Sequence, residues 1–334
     1  MKTVLLMTVL ILSIVTLSFG AEYYVYYNSL VPVYRSLYQI EPFFDYTRVV
    51  KFEYDRPNAE LVKIRDGCQP VILVHGIDPW EIEGVWTLYK KQFIENWKRL
   101  LPSEYGLYIF VYPSLDVPIE QSANVLAQEI LKLGEDEDAG KINIYAHSMG
   151  GLVVRYALVN LTSEEIKSRV NKIVFAGTPH IGSPFANLIV MDKKILKFHP
   201  KWDLLKSTLI AANTVGSFIQ APNYSYLIFG KRHPPIPKEV EFANYAGVVS
   251  DSPVKVFRNS VETNFLTTQG LNFLTAISKI VYGLDSDFSI NDGMVPLNSA
   301  VHFGNAQIFS GYDHADFILS DIIINEAINY FYYH

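Results

Sequence analysis

The sequence predicts an α/β fold: a mainly parallel central sheet with helices on both faces. Three observations carry this. Apolar runs of strand length alternate with longer segments of helical period. Several of those runs are continuously apolar, as in strands covered on both sides. One of them, within Lys141–Leu158 (KINIYAHSMGGLVVRYAL), turns at a serine directly into a helix.

Taken in order, Ala21–Arg65 is rich in Tyr, Val and Phe and reads as edge strands added before the core sheet, Val49–Tyr54 and Leu61–Ile64 among them. Gln69–Gly76 (QPVILVHG) is a buried strand ending in His-Gly. Trp86–Leu100 is an amphipathic helix whose Trp86, Tyr89, Phe93 and Trp97 share one face, a core stripe rather than a cofactor box. Tyr108–Tyr112 is a strand, Ile119–Leu133 a helix closed by Gly134, and Gly134–Gly140 an acidic loop. Lys172–Gly177 is another buried strand, running into Thr178-Pro179-His180. Pro184–Val240 breaks the rhythm, with helical stretches at Leu188–Phe198 and Leu204–Ile219 and a loop at His233–Pro237. A strand follows at Ala243–Ser250, a helix at Phe265–Tyr282, a short strand at Ala306–Ser310 and one closing helix over Ala315–Tyr332.

The strand–serine–helix turn has the form of a nucleophile elbow. Such a turn strains the serine backbone and packs its flanks closely, so it needs small neighbours. Ala146 and Gly150 fill those places around Ser148.

The 334 residues, with 14% aromatic and 19% charged side chains, can bury a sizeable core. Met1–Gly20 carries Lys2, an apolar run from Val4 to Leu17, and small residues before Ala21. It reads as a signal peptide cleaved near Gly20, leaving residues 21–334 as one domain in a secreted or periplasmic protein. The run falls short of the ~20 apolar residues of a spanning helix; an uncleaved signal anchor is the alternative. Losing Lys2 takes the formal net charge from −6 to −7. An acidic chain without basic runs argues against nucleic-acid partners. Cys68 is the only cysteine, so an internal disulfide is excluded.

A serine hydroxyl becomes a nucleophile when a base takes its proton, and the base needs a carboxylate to fix its tautomer. After an elbow, the order along the chain is serine, acid, histidine. His314 follows the last strand and a Gly311-Tyr312-Asp313 turn, where a loop can aim an imidazole back at Ser148. Asp292, in the polar turn SINDGMVP, is the leading acid; Asp287 comes next, with Asp285 and Asp251 as further rivals. Two backbone N–H groups must hold the oxyanion. Met149, after the serine, and Ile77, after His75-Gly76, are the candidates. His75 and His180 read as structural, and Arg155 as a hydrogen-bonding residue beneath the site or a solvated helix face. HExxH, paired Cys/His ligands and a Gly-rich phosphate loop are missing from the sequence.

VHGI, AHSMGG, FAGTPHIGSPFA, NDGMVP and GYDHADF occur in that order. Together, from about Val71 to the C-terminus, they resemble the lipase/esterase branch of the α/β-hydrolase fold, in particular bacterial triacylglycerol lipases. The resemblance implies Ser148 as nucleophile, Asp292 as acid, His314 as base, Ile77 and Met149 as oxyanion donors, and the insertion at about 184–240 as a helical lid. It also brings in a structural calcium near the histidine, for which Asp316 is a weak candidate. Ser320 stands where a Gln oxygen is expected and no upstream Asp partner is visible, so Asp316 serves equally as a helix cap, and no cofactor is expected. The implied function is an exported serine carboxylic-ester hydrolase acting on a small-molecule ester or lipid with an apolar acyl group, with transient contact to a lipid interface. Acyl transfer or amide hydrolysis by the same triad is the alternative, followed by a non-catalytic binding protein on the same scaffold.

Overall fold

The computed structural model describes residues 59–78, 88–115, 117–134, 140–183, 186, 222–248 and 290–333. The leader, most of 21–65, both insertion helices, Trp86, the helix at 265–282 and the rival acids Asp251, Asp285 and Asp287 lie outside these.

Seven strands form one sheet: β1 (Glu60–Arg65), β2 (Cys68–Val74), β3 (Tyr105–Val111), β4 (Ile142–His147), β5 (Val170–Ala176), β6 (Glu241–Val248) and β7 (Ala306–Ser310). Their spatial order is β1-β3-β2-β4-β5-β6-β7. β1 is antiparallel to β3, and every other pairing is parallel. This is the mainly parallel arrangement expected from the sequence, and it sets the carboxyl ends of the parallel strands side by side, where such sheets carry their sites.

The alternation of side chains along each strand sorts the core into two layers. Ile72, Val74, Ile144 and Ala146 face α2 (Ile119–Leu133) and α3 (Met149–Leu158). Val71, Leu73 and Tyr145 face α1 (Leu88–Leu100) and the C-terminal helix. Of the expected stripe, Phe93 and Trp97 on α1 are fully covered and Tyr89 is half-buried; burying a side chain such as Phe93 is worth about 1.5–3 kcal/mol.

Three details differ from the sequence reading. A helix absent from it, α4 (Ser163–Arg169), starts with a capping box in which Thr162 and Glu165 bond each other's backbone N–H. A short helix, α5 (Leu297–Ala300), follows the NDGMVP turn. The single closing helix is in fact two, α6 (Asp316–Leu319) and α7 (Asp321–Tyr332), parted at an extended Ser320. The break has a cause: Tyr145 Oη donates to the Phe317 carbonyl (2.6 Å) and Asn96 Nδ2 to that of Ile318 (2.9 Å). These carbonyls are thereby supplied by buried side chains rather than by the next helical turn.

Candidate active site

Ser148 joins β4 to α3 with φ 55° and ψ −128°. A left-handed backbone at a residue with a Cβ costs about 1–3 kcal/mol and persists when its surroundings over-determine it. Here they do. His147 pairs with Ala176 in the sheet, and Ser148 N–H donates to the Ala176 carbonyl at 2.8 Å. On the helical side, a Cβ on Gly150 would stand 2.5 Å from the carbonyl oxygens of both Val74 and His75. The helix start therefore lies directly on the end of β2.

The segment after β2 is held on both sides of Ile77. Gly76 N–H donates to Tyr89 Oη (2.6 Å), and Asp78 N–H to Ser114 Oγ (2.9 Å). The Asp78 carboxylate faces Lys90 at 3.5 Å, both side chains buried. His75 Nδ1 meets the Gly76 carbonyl (2.7 Å), and its Nε2 takes the Tyr112 N–H (3.4 Å), so its proton sits on Nδ1. Burial, and secondarily Lys90, keep this imidazole well below the usual histidine range and hence neutral. Among the described residues, the Ile77 N–H has no main-chain acceptor. Met149 opens α3, so its N–H has no acceptor within the helix.

Asp292 and His314 come from different connections and meet. His314 Nδ1 and Asp292 Oδ2 are 2.8 Å apart, and His314 N–H donates to the Asp292 carbonyl at 2.9 Å. Asp292 Oδ1 accepts the N–H groups of Met294 (2.9 Å) and Val295 (2.7 Å). Three polar contacts, the two N–H groups and His314 Nδ1, thus meet this carboxylate. The Nδ1 contact leaves His314 Nε2 as the atom able to take a proton. The loop after β7 carries the ring back across β6 to β5: a Cβ on Gly177, at φ +60°, would stand 3.1 Å from His314 Cε1. The His147 and His314 rings lie 4.8 Å apart, centre to centre. Among the described residues Ser148 Oγ makes no hydrogen bond to His314; such bonds are often long without substrate. Ser148, Asp292 and His314 are each buried, at 8%, 1% and 6% exposed.

Arg155 is buried, not a solvated face. It donates to the carbonyls of His180 (2.9 Å), His233 (3.2 Å) and Pro234 (2.8 Å from Nε), and its guanidinium lies over the Phe303 ring. Burial lowers its pKa to about 10. His180 Nε2 bonds Asn244 Oδ1 at 2.8 Å, and burial, then Arg155, pull its pKa down to about 3. Arg155 ties the elbow helix to His233 and Pro234, near the end of the insertion, and His180 links Arg155 to β6. The insertion's stem closes where Ser183 bridges Ile228.

Asp316 is not a helix cap. Ala315 precedes α6 in that place, and Asp316 Oδ2 instead accepts the Asp313 N–H at 2.8 Å. No group of three His, Cys, Asp or Glu able to hold a metal ion occurs among the described residues. Burial, then the Asp316 carboxylate, hold Asp313 well above the usual carboxylate range. Sequence reasoning missed Tyr89 as a polar contact of the site, the Lys90–Asp78 pair and His147. Period-2 alternation was the available signal for His147, since it shares a face with Tyr145 and therefore points at α1.

Comparison with known proteins places these observations. A triacylglycerol lipase of Pseudarthrobacter phenanthrenivorans and one of Burkholderia plantarii are each 30% identical to the chain over 161 residues, 46% of its length. The match spans 45% and 40% of those proteins, so the chain covers less than half of the curated relatives it matches. Among solved structures, a mature lipase from Bacillus licheniformis superimposes over 83% of this chain and 99% of its own, at 16% identity and a TM-score of 0.47. An esterase from Exiguobacterium antarcticum covers 84% and 98%, at 15% identity and a TM-score of 0.45. Residues 37–214, more than half of the chain, match the model of a domain of unknown function, DUF7379, and the chain belongs to that family.

Proposed function

We propose that the protein is a serine carboxylic-ester hydrolase of lipase/esterase type. The observation that carries the reading is an imidazole, fixed on Nδ1 by a buried carboxylate, at the strand ends beside a left-handed serine. The partial likeness to triacylglycerol lipases supports it.

In this reading Ser148 Oγ attacks the ester carbonyl while its proton passes to His314 Nε2. Asp292 holds the imidazole in the tautomer that can accept it and stabilises the imidazolium. The carbonyl oxygen becomes an oxyanion facing the N–H groups of Ile77 and Met149, the latter favoured further by the start of α3. Collapse breaks the ester C–O bond, and the alkoxide leaves with the proton from His314. Water, deprotonated by His314, then attacks the acyl-enzyme; the acid departs and Ser148 regains its proton. Cleavage of a leader near Gly20 and export belong to the same proposal, as does a lid at 184–240 over an apolar acyl pocket.

The test is hydrolysis of p-nitrophenyl esters of increasing acyl length by the parent and by Ser148→Ala. The parent turns over, and the variant falls by roughly 10⁴-fold or more in kcat. A Ser148→Ala protein working at the parent rate overturns the reading. A rise in rate with acyl length, steeper above substrate aggregation, marks a lipase; preference for short soluble esters marks an esterase.

A further inference from the structure

A line of hydrogen bonds crosses the site behind Ser148 and uses two side chains without a part in the proposed chemistry. Gly76 N–H donates to Tyr89 Oη at 2.6 Å. Tyr89 Oη meets His147 Nδ1 at 2.6 Å. His147 Nε2 meets the His314 carbonyl at 3.0 Å. The protons can be assigned from the ends inward. A carbonyl only accepts, so His147 must donate from Nε2. A neutral imidazole then accepts at Nδ1, and the single Tyr89 hydroxyl proton must point there. That leaves a Tyr89 lone pair for Gly76 N–H. Every donor and acceptor in the line is matched, with one direction throughout.

Its two ends explain its use. Gly76 precedes Ile77, the proposed oxyanion donor, and the His314 carbonyl belongs to the proposed base. We propose that Tyr89 and His147 are positioning residues that set the oxyanion loop and the base loop in one register about Ser148. The proposal rests on the serine-hydrolase reading. A packing role alone does not explain the pair. His147 ends its strand next to the rings of Phe93 and Phe317, where a Leu would fill space without a desolvation cost. Burial, and secondarily His314, hold His147 well below the usual histidine range, which keeps it neutral as the line requires. Lys90, next to Tyr89 on α1, grips Asp78, so one helical turn holds the oxyanion loop on both sides of Ile77.

The experiment uses the full chain with Tyr89→Phe, His147→Phe and the double variant. p-Nitrophenyl butyrate kinetics, fluorophosphonate labelling and thermal melting are the readouts. A broken line misplaces donor and base by fractions of an ångström, so kcat falls roughly 10- to 100-fold while KM stays within about twofold. Labelling slows by a similar factor. Because each substitution breaks the same line, the double variant is no slower than the slower single one. Folded single variants with the parent kcat, or losses that multiply in the double variant, overturn the proposal. Nitrogen-15 NMR of the parent's histidines tests it without any variant. His147 protonated on Nε2 at neutral pH is expected, and the Nδ1–H tautomer overturns it. A parent that hydrolyses no ester and takes no label sinks the hydrolase reading instead, and the tautomer still decides whether the line exists.

Discussion

At Ser148 the chain is held by other main chain; at His314 a main-chain bond to Asp292 is joined by a set of side-chain bonds. The elbow rests on a ladder bond from Ser148 N–H to Ala176 and on carbonyls of Val74 and His75 packed against Gly150. The acid–base side rests on Asp292 Oδ1 taking two amides, on Asp313 and Asp316 taking those of Ala315 and Asp313, and on Tyr145 and Asn96 capping α6. Main-chain contacts tolerate almost no change in shape and can hold a strained φ. Side-chain contacts set a loop's aim and can be altered one at a time. Ser148, the proposed nucleophile, is thus placed by the sheet, and His314, the proposed base, is aimed by polar groups beyond it.

Two glycine substitutions separate these modes. Gly150→Ala drives a methyl into two carbonyl oxygens at 2.5 Å, with neither strand nor helix free to yield. We expect the larger effect there: about 3 kcal/mol or more of stability lost in urea unfolding, and activity lost with the fold. Gly177→Ala meets the Phe317 ring at 2.8 Å and His314 Cε1 at 3.1 Å from a φ of +60°. Those are side chains that can swing, so about 1–2 kcal/mol is lost but kcat drops roughly 10- to 100-fold as the imidazole is displaced. A Gly177→Ala protein with full kcat would place the working base elsewhere.

The pH dependence of stability divides the halves more gently, with opposite signs. His75, His147 and His180 are kept neutral by burial, their pKa values pushed below the ordinary ~6.5. Below that pH the unfolded chain binds protons that the folded chain refuses. Their stabilising contribution is therefore whole above ~6.5 and lost on acidification, at up to about 1.4 kcal/mol per pH unit per histidine. Asp313 runs the other way. Its raised pKa favours the folded state below the ordinary carboxylate value, and that contribution is lost as pH rises through the raised value. Asp313→Asn should remove the loss of Tm that sets in as pH rises above the ordinary carboxylate value of ~4. A Tm-against-pH profile identical to the parent's throughout would mean that Asp313 is ionised in the fold.

The same contrast explains what was legible in the sequence. The elbow is local: a continuous apolar strand, small residues at 146 and 150 and a helical run after Ser148 fit within one short stretch. Strands β2 to β7 and helices α1 to α3 were readable for the same reason, through periodicity. The acid–base side is assembled from far-apart segments, so Asp292 could be ranked above Asp287 only by turn chemistry and by the resemblance. The break at Ser320 was hidden because its cause is two buried side chains on β4 and α1. The Tyr89–His147 line was hidden likewise: periodicity gives the face of each residue but not that two faces meet in a hydrogen bond. α4 was readable in principle, since Thr162 and Glu165 have capping-box spacing.

One measurement bears most directly on the convergence of Ser148, His314 and Asp292. The purified chain is treated with a fluorophosphonate and the modified peptide is identified by mass spectrometry, alongside Asp292→Asn and His314→Ala. The account predicts a single adduct on Ser148, formed rapidly in the parent and slowed by at least about 10³-fold in both variants. An adduct on another residue, or labelling of Ser148 at the parent rate without His314, would contradict it.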